Sequence, residues 1–400
     1  MPRLFCALLL SLAVAGCSST PEQPQSSLSS IDDQLDVDVE WRLNLGQQAG
    51  TRLNRLRPAV QNDTVFMASA DGRVLALELA SGAEQWQLTL EQNIIGGVAL
   101  AGDQLFVSTM DGMLHSISTA GELQWSSALA SEAVASVASD AQRVFVHTID
   151  GRLSAYQRDN GEQLWTYEHA MPVLSVRGTS SPLVLEQLVV TGFASGKVVA
   201  LDKRLGIPRW DVRLAIPDGR SELERLVDVD GTPVWDNGVI YAASYHGKVA
   251  ALSPRGEVRW QEDGSSYGHP VLALGSLYLS LDDGTLQAYD IYNGANQWTQ
   301  TILQGKALGQ VTVFDRYLAV ADDEGFLYLL SLVDGELLAR ERMRPKPLHK
   351  NVPNSPEMTN WRGLRGRDFG LSAPMVATER GLLVTSNTGE LLLLTVHADQ

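Results

Sequence analysis

The stretch DGRVLALELASGAEQW, residues 71–86, decides the fold, because the chain repeats its plan. DGMLHSISTAGELQW (111–125), DGRLSAYQRDNGEQLW (150–165), SGKVVALDKRLGIPRW (195–210), HGKVAALSPRGEVRW (246–260) and DGTLQAYDIYNGANQW (283–298) follow it. In all six, a glycine precedes a tryptophan by 13 or 14 residues, and a second glycine sits four before that tryptophan. EGFLYLLSLVDGELLA (324–339) is a seventh copy with Ala339 in the tryptophan slot, and TGELLLLTVHADQ (388–400) is an eighth, partial one. Asp-Gly favours a two-residue hairpin turn, because glycine accepts positive φ. Apolar residues alternate on both sides of it, as in RVFVHTI (143–149) and RLSAY (152–156). Each copy therefore reads as strand, turn, strand.

A further short strand lies upstream of most copies, at Arg57-Pro58-Ala59-Val60, Ser181-Pro182-Leu183-Val184, Thr232-Pro233-Val234-Trp235, His269-Pro270-Val271-Leu272 and Ala373-Pro374-Met375-Val376. With the strand that carries the tryptophan, each unit holds four strands in roughly 40 residues, the pattern of a β-propeller blade. No stretch sustains a helical period across the repeats. The expected fold is all-β: an eight-bladed β-propeller with four-stranded blades. The eighth unit lacks an outer strand, and Val39-Glu40-Trp41-Arg42-Leu43 is a spare one. A strand over 39–45 would complete blade eight, close the ring and pair two open edges. The tryptophans are expected to pack between adjacent blades.

The leader MPRLFCALLLSLAVAGC carries Arg3 and then an apolar run from Leu4 to Val14, too short for the ~20 residues that span a bilayer. It reads as a signal peptide over 1–16. Val14-Ala15-Gly16-Cys17 resembles the lipobox of bacterial lipoproteins, which implies cleavage before Cys17 and its lipidation. Ser18 after the cysteine favours, by the same analogy, the outer membrane. Residues 17–38 are rich in Ser, Gln, Pro and Asp and are expected as a lipidated N-terminus and flexible tether, with one propeller domain over 39–400. Cys6 and Cys17 are the two cysteines, so the domain holds no disulfide, thiolate zinc site or cysteine nucleophile. A net charge of −16 argues against nucleic acid as a partner.

The repeat Ala200-Leu201-Asp202 through Gly206 to Trp210 resembles that of pyrroloquinoline-quinone dehydrogenases, eight-bladed enzymes with quinone, calcium and an adjacent cysteine pair. This chain has no such pair, and a periplasmic quinone-dependent dehydrogenase is the alternative kept open. From lipobox to last repeat, the chain more closely resembles the BamB family, lipoprotein subunits of the outer-membrane β-barrel assembly machinery. Leu174-Ser175-Val176-Arg177-Gly178 and Arg225-Leu226-Val227-Asp228-Val229-Asp230-Gly231-Thr232-Pro233 carry that likeness. It implies a non-catalytic scaffold without cofactor, on the periplasmic face of the outer membrane. The implied partner is BamA, through its periplasmic POTRA domains, with room for nascent outer-membrane proteins as well. Leu174, Val176, Arg177, Asp228 and Asp230 become the partner-binding candidates.

The same positions also admit a bracing role, with Arg177 paired to Asp228 or Asp230. If 227–230 is extended, the two aspartates share one face and Val227 and Val229 the other, which suits an exposed docking patch. An EF-hand frame fails here, since counting from Asp228 puts Gly231 at position four and Val239 at position twelve. No histidine or nucleophile lies nearby in sequence, and the seven histidines show no metal-ligand spacing. Between repeats seven and eight, a basic insertion at about 340–372 carries eight Arg or Lys residues over 340–368, a feature suited to acidic lipid headgroups or an acidic partner.

Overall fold

The computed structural model describes residues 28, 34–45, 56–172, 174–175, 179–343 and 370–398. The signal peptide, Cys17, most of the expected tether and the core of the basic insertion lie outside them. The described strands form eight four-stranded antiparallel sheets, the expected eight-bladed ring. Blade 1 comprises Ala59–Gln61, Thr64–Ala68, Arg73–Glu78 and Glu84–Thr89, from the channel outward. The inner strands of blades 2 to 8 begin at Ala99, Ala138, Leu183, Val234, Val271, Thr312 and Val376. Burial follows position in the blade. The second and third strands are covered by neighbouring blades on both faces, so Thr64–Ala68 and Arg73–Glu78 bury nearly every residue. The outer strand Glu84–Thr89 alternates between exposed and half-buried.

The paired glycine and tryptophan of the repeat form one contact between blades. The indole Nε1 of Trp86 donates to the Thr119 carbonyl of the next blade at 3.0 Å, and that of Trp125 to Arg158 at 2.8 Å. Trp165, Trp210, Trp260 and Trp298 do the same toward Lys203, Pro254, Ile291 and Leu332. Each ring lies flat on the next blade's second glycine. A Cβ on Gly121 would sit 2.8 Å from the Trp86 ring, and one on Gly335 would sit 2.6 Å from that of Trp298. The expected packing of the tryptophans between blades is what the structure shows.

Leu35–Asn44 closes the ring, antiparallel to Glu390–Ala398 of blade 8, with a bulge between Val39 and Trp41. Its Trp41 donates to the Leu79 carbonyl of blade 1 at 2.9 Å and rests on Gly82, supplying the eighth blade's tryptophan. The strand starts at Leu35, so the expected tether boundary at residue 38 is corrected: residues 35–38 belong to the ring. Contact begins earlier still. The Gln34 amide donates to the Leu338 carbonyl on the outer strand of blade 7 at 2.8 Å. Leu28 is buried in the cluster that includes Leu332 and Leu337, and its carbonyl accepts from Arg340 at 3.0 Å.

Candidate partner-binding face

In a four-stranded antiparallel blade, the link from an outer strand to the next inner strand leaves at the same end as the turn between the second and third strands. One face of the ring therefore carries all the inter-blade links and the Asp-Gly turns. Both predicted segments lie on that face, on the links from blade 3 to blade 4 and from blade 4 to blade 5. Such links can project from a rigid scaffold. Leu174 is 44% exposed, while Val176 and Arg177 lie outside the described residues.

Asp228 and Asp230 differ from expectation: they are 1% and 2% exposed. Val227 and Val229 are buried too, so the alternation of a wet face and a dry face does not hold. The strip is covered from both sides. Asp228 makes an antiparallel bridge to Tyr245 in the second turn of blade 5, with the Tyr245 amide donating to its carbonyl at 2.8 Å. On the other side, Val229 packs over Gly192, where a Cβ would lie 2.2 Å from the Val229 carbonyl oxygen. Asp228 Oδ1 accepts from the Val229 amide at 2.8 Å, a local bond that fixes the bend. These carboxylates are internal to the face and are not surface charges.

The structure does bring the two predicted segments together. Ser180, just after the first, donates from Oγ to the carbonyl of Gly231 in the second at 3.2 Å. The Ser180 carbonyl is itself held by His147 Nδ1 at 3.1 Å and Thr191 Oγ1 at 3.2 Å. Thr179 Oγ1 accepts from the Ala135 amide of the preceding link at 3.2 Å.

His147 is fully enclosed, and burial pushes its pKa down from the usual 6.5 to about 4. As a neutral ring it donates to Ser180. The unfolded chain binds a proton near pH 6.5 that the folded chain refuses until about pH 4, so stability is complete above that window and falls as pH drops through it. The full loss amounts to about 3 kcal/mol. Urea unfolding from pH 7.5 to 4 should show this slope in the wild type and a flatter one in His147→Asn; equal slopes would contradict the assignment.

Sequence reasoning missed the groups that are exposed here. Ile216 and Leu223 are largely exposed on the link into blade 5. Their loop is held by a reciprocal cap: Ser221 Oγ accepts from the Glu224 amide at 3.2 Å, and the Glu224 carboxylate accepts from the Arg220 and Ser221 amides. Those amides hold the Glu224 carboxyl below the usual range. The Ser-x-x-Glu spacing was the available signal. Beside the loop, Tyr245 stacks on Tyr267 with ring centroids 4.1 Å apart and on His246 at 3.8 Å. His246 Nδ1 lies 2.9 Å from the Leu226 carbonyl and so donates to it. Burial, then Tyr245 and the nearby carboxylates Asp282 and Asp230, push the Tyr267 hydroxyl far up. The Tyr267 hydroxyl stays protonated at any physiological pH. Among the described residues, no cluster of three His, Cys, Asp or Glu residues could hold a metal ion.

The family profile described as "Outer membrane protein assembly factor BamB" matches residues 22–94 and 70–300. A Pseudomonas aeruginosa protein named outer membrane protein assembly factor BamB is 40% identical over 340 residues, covering 84% of this chain and 90% of its own. The Kangiella koreensis protein of that name is 37% identical, covering 84% and 88%. Among solved structures, BamB from Moraxella catarrhalis superposes with a TM-score of 0.77 at 25% identity, over 90% of this chain and 100% of that one. A europium-containing methanol dehydrogenase superposes with a TM-score of 0.60 at 14% identity, over 77% and 81%, a likeness of fold alone. Fold and face together define an eight-bladed propeller with an apolar and aromatic patch on the face that carries its links. Within that class, the chain belongs to the outer membrane protein assembly factor BamB family.

Proposed function

We propose that this protein is a non-catalytic scaffold of outer-membrane protein assembly, docking the POTRA region of BamA on the links into blades 4 and 5. The carrying observation is the Ser180–Gly231 bond, which holds the two family segments as one unit beside exposed Leu174, Ile216 and Leu223. Apolar anchors flanked by tyrosines suit the desolvated centre of an interface. Leu174, Val176 and Arg177 are the contact candidates, while buried Asp228 and Asp230 act from beneath by fixing the shape of the patch. Lipidation at Cys17 would tether the ring to the periplasmic face of the outer membrane.

The test is recovery of BamA with the lipidated full chain after gentle detergent extraction. Leu174→Asp should weaken retention about tenfold or more without lowering the melting temperature, as expected for an anchor that packs only against a partner. Asp228→Arg should weaken retention and also destabilise the ring, because it buries an uncompensated charge. Arg177→Glu combined with Asp228→Arg settles the bracing role: restored stability means that the two pair with each other. Absence of BamA from the wild-type eluate would remove the family carry-over, and retention unaffected by every variant would remove this interface.

A further inference from the structure

The inner strands line a central cavity of about 630 Å³, within the range of small-ligand sites. Its shaft is apolar, built from side chains such as Val60, Leu100, Val137 and Val234. Its mouth is not. Two residues before the start of six of the eight inner strands, the chain places Arg57, Ser136, Ser181, Thr232, His269 and Gln310 as polar groups around the mouth, with Gly97 and Pro374 at the other two positions, and all six polar residues line the cavity. The residues between this ring and the strands, such as Pro58, Val98 and Val311, are buried, and Pro58 and Val98 line the cavity beneath the polar groups.

Among the described residues, Arg57 is the single Lys or Arg lining this cavity. Arg57 stands exposed at the mouth, the cavity walls beside it lower its pKa, and no carboxylate among the described residues raises it. It remains charged all the same. Among the described residues, its guanidinium makes no ion pair or hydrogen bond, and the hydroxyls of Ser136, Ser181 and Thr232 likewise have no partner. Gln310 Oε1 is buried without one. On the opposite wall, at the link into blade 5, Asp230 lines the same cavity. An anion is therefore drawn to the Arg57 side.

We propose that the channel mouth binds a carboxylate carried on an apolar body. The carboxylate pairs with Arg57 and takes hydroxyl donors from the ring, and the apolar body lies along the valine and leucine shaft. A cation in a partly desolvated cavity gains more from such a pair than one on the open surface. The site lies apart from the exposed patch on the links, and it stands or falls independently of BamA docking.

Calorimetric titration of the full-length mature chain tests it. Octanoate should bind saturably, and Arg57→Gln should weaken that binding about tenfold or more. The melting temperature of this variant should not change, since Arg57 holds no described partner. Octylammonium, with the same chain and the opposite charge, should not compete. N-acetyl-trileucine as the free acid and as the amide separates two sources of the same chemistry. Binding of octanoate alone points to a fatty carboxylate, and binding of the peptide acid but not its amide points to a polypeptide end. Absence of saturable binding by either acid, equal binding to Arg57→Gln, or equal affinity for octylammonium would overturn the proposal.

Discussion

A chain that begins at Gln47, after the closing strand, is expected not to form a stable monomeric ring. The third strand of blade 8 pairs on its outer side with Leu35–Asn44, through partners such as Leu43↔Leu391 and Trp41↔Leu393. Leu391, Leu392, Leu393 and Leu394 are all buried. Without the closing strand, their backbone becomes an open edge of four consecutive leucines, a template for pairing with another chain. The indole of Trp41 also leaves Gly82, which uncovers the flank of blade 1. The truncated protein should elute as dimers and larger aggregates in size-exclusion chromatography, and a peptide spanning residues 34–45 supplied in trans should recover monomer. A truncated monomer with an unchanged melting temperature would show that closure contributes little.

The second large effect is expected at a single inter-blade contact. Trp298 is 9% exposed, donates to the Leu332 carbonyl at 3.2 Å and covers Gly335. Trp298→Ala should cost about 3–5 kcal/mol, the range for removing a large aromatic ring from a packed interior. Gly335→Val attacks the same contact from the other side. Its Cβ would meet the ring at 2.6 Å, and its backbone sits at φ +73°, a conformation β-branched residues avoid. Trp235 is the control: it stands 41% exposed on the inner strand of blade 5. Trp235→Ala should shift stability by no more than about 0.5 kcal/mol. Urea midpoints for the three variants decide the matter, and equal losses for Trp298→Ala and Trp235→Ala would refute the inter-blade role.

The ring was legible because its determinants are local and repeated. Glycine at positive φ, tryptophan four residues after the second glycine, and alternation around Asp-Gly are short-range demands, and eight copies average out the exceptions. Ala339 shows the limit: its blade keeps four strands although the tryptophan is gone. The candidate site was legible only as a location. Alternation along Val227-Asp228-Val229-Asp230 predicts two faces when one of them meets water. Here Tyr245 covers one side and Gly192 lies against the other, and neither contact can be read from the strip itself. The exposed Ile216 and Leu223 sit in a loop whose Ser221-x-x-Glu224 cap was visible in the sequence. Arg57 was likewise visible in an Arg-Pro pair, but its place on a ring needs the register of all eight inner strands.

The docked end of the tether has a mechanical consequence. Leu28 and Gln34 are fastened to the outer strand of blade 7. If Cys17 carries the lipid as proposed, the length of chain from Cys17 to Leu28 limits the distance between lipid and ring to at most about 40 Å. It holds the ring by one flank and not at its axis. Blade 3 lies opposite blade 7 in an eight-membered ring, so the link that leaves it, with Leu174, swings at the far end of the diameter. A body hinged in this way sweeps its free edge through the largest arc below the bilayer, which lets a short leash search a wide area for a partner.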